Sequence, residues 1–151
     1  MEHLNITKGT EKDFNRLSAI WESAVKATHH FLDEKDFLYY KSNITNYFGQ
    51  VDIYVCKDAY GTIIGFMGIS DTMLEMLFID ASFRGEGAGG KLLRYAIDKL
   101  NVRRLDVNEQ NLQAIGFYTH LGFRIAGRSP LDNEGRPYPL LHMQYSPEQD
   151  V

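Results

Sequence analysis

The stretch Ser82-Phe83-Arg84-Gly85-Glu86-Gly87-Ala88-Gly89-Gly90-Lys91 limits the folds open to this chain more than any other. It follows an apolar run, Met76 to Ile79, and leads into Leu92 to Leu100, where apolar residues recur at helical spacing. A strand that turns through glycines into a helix N-terminus presents free backbone N–H groups and the positive end of the helix dipole. That combination suits a phosphate or a pyrophosphate.

The loop fits three patterns with three functions. Gly85-x-Gly87-x-x-Gly90 satisfies the dinucleotide fingerprint, with Asp106 near the distance expected for the ribose-binding acid. Gly85 to Lys91 also spells a phosphate-loop pattern as far as its lysine, but residue 92 is leucine and leaves no hydroxyl for Mg²⁺. The third is Arg84-x-x-Gly87-x-Gly89, in which an arginine and backbone amides clasp a diphosphate together. Ala81 to Arg84 separate Asp80 from the first glycine, whereas a dinucleotide fold turns into its glycines directly from the strand, so the spacing favours the third pattern. A turn that needs glycine only for its dihedral angles is the competing reading.

A chain of 151 residues is one ordinary domain, residues 1–151, and buries roughly two thirds of its unfolded surface. The formal charge of −4, from 16 basic and 20 acidic residues, supplies no global field for nucleic acid or an anionic membrane. The single cysteine, Cys56, excludes an internal disulfide and a cysteine-based zinc cluster; within an apolar run it reads as a buried, inert thiol. The polar start Met1-Glu2-His3-Leu4 has no apolar signal core and no run reaches the length of a membrane span, so a cytoplasmic location is expected.

Leu4 to Lys8 alternates as a strand, and Thr10-Glu11-Lys12-Asp13 caps a helix whose stripe is Phe14, Leu17, Ile20, Trp21, Ala24 and Val25. A second, aromatic-rich helix runs from Lys35 to Phe48. His29 and His30 sit near the end of the first helix, but no acid or third histidine lies at ligand spacing, so no metal is expected. Either ring has the chemistry to touch a substrate or act on a proton, or simply to face the helix dipole. Val51 to Cys56, Thr62 to Ser70 and Met73 to Ile79 read as three antiparallel strands that deliver the chain to the loop. Beyond the helix from Gly87 to Leu100, Val102 to Val107 is a strand placed parallel to Met73–Ile79 by the crossover. Asn108 to Asn111 then start a helix with Ala114, Phe117, Tyr118 and Leu121 on one face, closed by Gly122. Strands at Phe123 to Gly127 and Tyr138 to Tyr145 flank a polar loop. The resulting order, β-α-α-β-β-β-α-β-α-β-β, contains one βαβ crossover, where a doubly wound fold needs several. The apolar C-terminal strand offers a dimer edge, leaving monomer and homodimer both open.

With Arg84-Gly85-Glu86-Gly87-Ala88-Gly89 after a strand, and Asn108-x-x-Asn111-x-x-Ala114-x-x-Phe117-Tyr118-x-x-x-Gly122-Phe123 some twenty residues later, the chain resembles the GNAT superfamily of acyl-CoA-dependent N-acetyltransferases. Trp21-x-x-x-Val25-x-x-Thr28-His29-x-Phe31-Leu32 and the segment from Gly127 to Leu141 are similar to a small bacterial branch acting on protein lysines. The resemblance implies an α+β, three-layer fold: a splayed, mostly antiparallel sheet of about seven strands with four helices. It implies acetyl-CoA, with its pantetheine arm on backbone groups of Leu77, Phe78 and Ile79 and its pyrophosphate on Arg84, Gly85, Glu86, Gly87, Ala88, Gly89 and Gly90. Asn111 bonds the arm and Tyr118 faces the sulfur. Asp80-Ala81 departs from the family, many of whose members carry proline there.

Acetyl transfer needs a neutral amine, a polarised thioester carbonyl and a stabilised or protonated thiolate. Under this reading the N–H of Phe78 or a neighbour serves the carbonyl, Tyr118 is the acid, and Glu75 is the base, with Asp71, His29 and His30 as alternatives. The acceptor, a small-molecule amine or a protein lysine, meets His29 and Phe31 in the Thr28–Leu32 connection and Tyr138 in the loop from Ser129. A non-catalytic acyl-CoA sensor and a nucleotide- or S-adenosylmethionine-dependent enzyme are the rival readings.

Overall fold

A computed structural model describes residues 3–147; Met1 and Glu2 of the polar N-terminal stretch lie outside them. The elements are β1 (Asn5–Lys8), α1 (Phe14–Thr28), α2 (Glu34–Phe48), β2 (Asp52–Lys57), β3 (Ile63–Ser70), β4 (Met73–Ile79), α3 (Ala88–Lys99), β5 (Arg104–Asn108), α4 (Leu112–His120), β6 (Phe123–Ser129) and β7 (Leu140–Tyr145). Two short 3₁₀ turns aside, this is the expected order, with seven strands and four helices among the described residues. The chain forms two compact units that divide between Val102 and Arg103.

In the first unit β1, β2, β3 and β4 form an antiparallel meander. The α1 stripe buries Leu17, Ile20, Trp21 and Val25 against Ile44 and Phe48 of α2 and against Ile53, Val55, Ile63 and Phe66 of the sheet. Each such side chain contributes roughly 1.5–3 kcal/mol through burial. β3 is buried without interruption from Ile63 to Ile69, the pattern of a strand covered on both faces. Both α1 and α3 pack on it, and α3 commits Leu92, Leu93, Ala96 and Ile97 to that packing face.

In the second unit β7 lies between β5 and β6, antiparallel to both, with α4 against β6. Leu105, Val107, Tyr118, Phe123, Tyr138 and Met143 are buried in it. This order corrects the expectation of a dimer edge at the C-terminal strand. β7 pairs through Leu140 to Gln144 with β5 and through Leu140 to Tyr145 with β6, so both of its main-chain edges are used.

Candidate active site

The chain leaves β4 at Asp80, whose carboxylate fixes the entry to the glycine loop. Asp80 Oδ1 accepts from the Ser82 N–H at 3.0 Å and from Ser23 Oγ at 3.2 Å, and Oδ2 accepts from Arg16 Nη2 at 2.9 Å. Arg16 also donates to the Ile63 carbonyl, with Nε at 2.9 Å and Nη2 at 2.7 Å, while Ser23 Oγ accepts from the Ala81 N–H at 3.0 Å. These bonds fix the turn from β4 into the glycine loop. Burial pushes the Asp80 carboxyl upward, but the Ser82 N–H, Arg16 and Ser23 more than offset it and hold it below the usual carboxylate range.

A lowered folded-state value stabilises the protein above the ordinary aspartate pKa of about 3.9, and that contribution is lost as pH falls through the folded value. Asp80→Asn is therefore expected to cost about 2 kcal/mol at neutral pH, the worth of a hydrogen bond to a charged group. It should also flatten the acid side of the stability curve. Thermal melts of both proteins between about pH 3 and pH 7 check this; parallel curves would remove Asp80 as an anchor.

Beyond Asp80 the main chain is extended at Arg84 and left-handed at Gly85 (φ 82°) and Gly87 (φ 89°). Gly87 is the N-cap of α3, and no described side chain caps that helix. The first turn of α3 therefore directs its N–H groups and the positive dipole end outward. A Cβ on Gly85 would meet open space, so a ligand has room beside the loop. Lys91, which completed the phosphate-loop pattern, instead donates to the Leu4 carbonyl at 2.5 Å. That pattern loses its cation.

In β4 the register with β3 passes from Met76 opposite Gly68 to Leu74 opposite Ile69, so Glu75 is the extra, exposed residue of a β-bulge. The Asp80 N–H bonds the Ile64 carbonyl at 2.9 Å. Antiparallel alternation then turns the Phe78 main-chain groups toward β3 and those of Leu77 and Ile79 toward the opposite edge. The Phe78 carbonyl oxygen, 3.2 Å from where a Gly65 Cβ would sit, agrees with this.

At the end of α1, the Thr28 hydroxyl lies 2.7 Å from the Ala24 carbonyl and 2.7 Å from His29 Nδ1. Its one proton goes to the carbonyl, so His29 Nδ1 carries a hydrogen and Nε2 keeps its lone pair. Burial, followed by the neighbouring His30, lowers the His29 pKa to about 4 and keeps the ring neutral. Phe31 packs near it, with ring centroids 5.2 Å apart.

In the second unit Asn111 is the N-cap of α4, its Oδ1 accepting from the Ala114 N–H at 3.1 Å, which leaves the side-chain NH₂ as a donor. Tyr118 is buried, with its ring beside Phe117 and Phe123, and burial pushes its phenol above the usual tyrosine value. Tyr138 is also buried, at 8% exposure. Asp106, the ribose partner of the dinucleotide reading, is bonded to His142 Nδ1 at 2.6 Å. Cys56 is fully buried and its thiol pKa is pushed up, chiefly by burial, as expected of an inert thiol. Sequence reasoning missed Arg16 and Ser23; no local signal pairs them with a residue more than fifty positions away.

Residues 49–125 match a family model described as an acetyltransferase (GNAT) domain. The peptidyl-lysine N-acetyltransferase YjaB of Salmonella typhimurium is 34% identical over 142 residues, covering 94% of this chain and 98% of that protein. The chain belongs to the GNAT acetyltransferases. A solution structure of the apo form of Escherichia coli YjaB shares this GNAT fold with a TM-score of 0.86 at 35% identity, covering 94% of this chain and 97% of that one. Likeness of fold alone extends to the PaiA N-acetyltransferase of Thermoplasma acidophilum, solved in complex with coenzyme A, with a TM-score of 0.70 at 21% identity, covering 94% of this chain and 99% of that one. The α+β GNAT-like fold and the acyltransferase class implied by the paired motifs therefore stand.

Proposed function

We propose that this chain moves an acetyl group from acetyl-CoA to a primary amine, on a protein lysine or a small molecule, by direct attack with both substrates bound. The observation that carries the reading is the Arg84–Gly90 loop, in which two left-handed glycines open a helix that no described side chain caps. A diphosphate matches its charge and hydrogen-bonding needs. Arg84 and the amides from Gly85 to Gly90 hold that group, backbone groups of Leu77 and Ile79 hold the pantetheine arm without Phe78, whose main-chain groups are turned to β3, and the Asn111 amide donates to it. Acetyl-CoA supplies an activated thioester and a good leaving group.

The remaining work falls to the chain. The N–H of Leu77 or Ile79, rather than that of Phe78, serves the carbonyl oxygen as charge develops, because these two turn away from β3. Tyr118 keeps its proton and hydrogen-bonds the departing sulfur. A lysine at its reference pKa is neutral in roughly one molecule in two thousand at pH 7, so the amine must lose a proton on binding. Glu75, presented by the bulge, takes that proton directly or through water. His29 orients the amine through Nε2, and Phe31 and Tyr138 wall the acceptor site. Residues 1–151 act as one cytoplasmic acetyltransferase domain, as a monomer or a homodimer.

Thiol release from acetyl-CoA, assayed against lysine peptides and a panel of small amines, tests the reading. Amine-dependent release is expected. Calorimetric binding of CoA with no release on any amine would favour the acyl-CoA sensor, and a thermal shift with NAD or S-adenosylmethionine but not CoA would overturn both.

A further inference from the structure

Three side chains of the second unit form a relay that the acetyl-transfer reading leaves unused. Asp106 on β5 stands directly opposite His142 on β7, and the next strand places Gly127 opposite His142, with Ser129 two residues further along β6. Alternation puts all four positions on one face of the sheet. Gly127 has no side chain, and the His142 ring occupies the room it leaves, with Cδ2 3.5 Å from where a Cβ would sit. His142 Nδ1 lies 2.6 Å from Asp106 Oδ1, and Nε2 lies 2.6 Å from Ser129 Oγ.

A carboxylate only accepts, so Nδ1 carries the hydrogen and Nε2 accepts the Ser129 hydroxyl proton. Asp106 holds the imidazole in the tautomer that can deprotonate Ser129 and stabilises the cation that results. These are the roles of the acid, base and nucleophile in serine hydrolases, which recur on unrelated folds and are recognised by geometry. The His142 side chain is 39% exposed and that of Asp106 20%, so the base end of the relay is open to small molecules.

We propose that Ser129 is an activated nucleophile toward small activated carboxylic esters, giving the protein an esterase activity distinct from amine acetylation. Ser129 Oγ forms the bond to the acyl carbon and its proton passes to His142 Nε2. The ester's C–O bond breaks, and the leaving alcohol takes that proton. A water molecule then attacks the acyl-serine, gives a proton to His142, and Ser129 leaves reprotonated, so the net reaction is ester plus water to acid plus alcohol.

The test is covalent labelling of the full chain with a fluorophosphonate probe, the adduct being located by peptide mass spectrometry, alongside hydrolysis of 4-nitrophenyl acetate. An adduct on Ser129 is expected, absent in Ser129→Ala and formed at least about tenfold more slowly in His142→Gln and Asp106→Asn. A wild-type protein labelled only elsewhere or not at all would overturn the proposal, and needs no variant to fold. Equal labelling rates in wild type and both relay variants would overturn it too, leaving a cross-strand brace.

Discussion

Replacing Tyr118 with phenylalanine is expected to lower kcat by about 100-fold or more while changing the KM for acetyl-CoA by less than about threefold. The substitution removes one oxygen and keeps the ring that packs beside Phe117 and Phe123, so the fold should survive it. At reference values a phenol near 10 protonating a thiolate near 8.5 is uphill by about 2 kcal/mol. Burial pushes the Tyr118 phenol higher still, so complete transfer is less favourable than that. What remains is a hydrogen bond to sulfur that strengthens as negative charge builds there, an interaction made chiefly in the transition state. Such an interaction appears in kcat and scarcely in substrate binding. The raised value also fixes the pH response: the group stays protonated, so no fall in kcat from Tyr118 ionisation is expected between about pH 7 and pH 10. Steady-state kinetics on both proteins across that range decide the matter. Unchanged turnover in the variant would take Tyr118 out of the reaction.

What the sequence disclosed was local, and what it hid depended on pairing. β4 begins and ends where its apolar run does, at Met73 and Ile79, and α1 buries the stripe that its spacing marked out from Leu17 to Val25, with Phe14 buried in part. The helix expected to start within Asn108 to Asn111 does so, with Asn111 as its N-cap. β2, by contrast, starts at Asp52 rather than Val51, because its first partner across the ladder is Ile69 of β3. Glu75 could be named as a candidate, but its place in a bulge is set by Gly68 and Ile69 on the neighbouring strand. The Phe78 N–H looked available until the ladder turned it toward β3. Arg16 and Asp80 are 64 residues apart, and Ser129, His142 and Asp106 meet only through the register of three strands. Neither constellation leaves a trace in spacing along the chain.

Gly87→Val is the second large effect. Gly87 caps α3 at φ 89°, ψ 3°, a conformation that a β-branched residue adopts only at a cost of about 1–3 kcal/mol. To relieve that strain the peptides around residue 87 must rotate, and they carry the N–H groups proposed to meet the diphosphate. Losing two hydrogen bonds to a charged group at about 1.5–3 kcal/mol each predicts a rise in the CoA dissociation constant of roughly 100-fold or more. Lost stability alone would mimic part of this, so the control is Gly61→Val. Gly61 has nearly the same dihedral, φ 81°, with nothing within 4 Å of where a Cβ would sit, in the turn between β2 and β3. The two variants share the backbone strain and differ in whether it falls on the loop. Both should melt at lower temperature than the parent chain, but calorimetry should find CoA affinity lost only in Gly87→Val. Equal affinities in the two would mean that the amides opening α3 do not hold the diphosphate, and the assignment of the loop would fall with them.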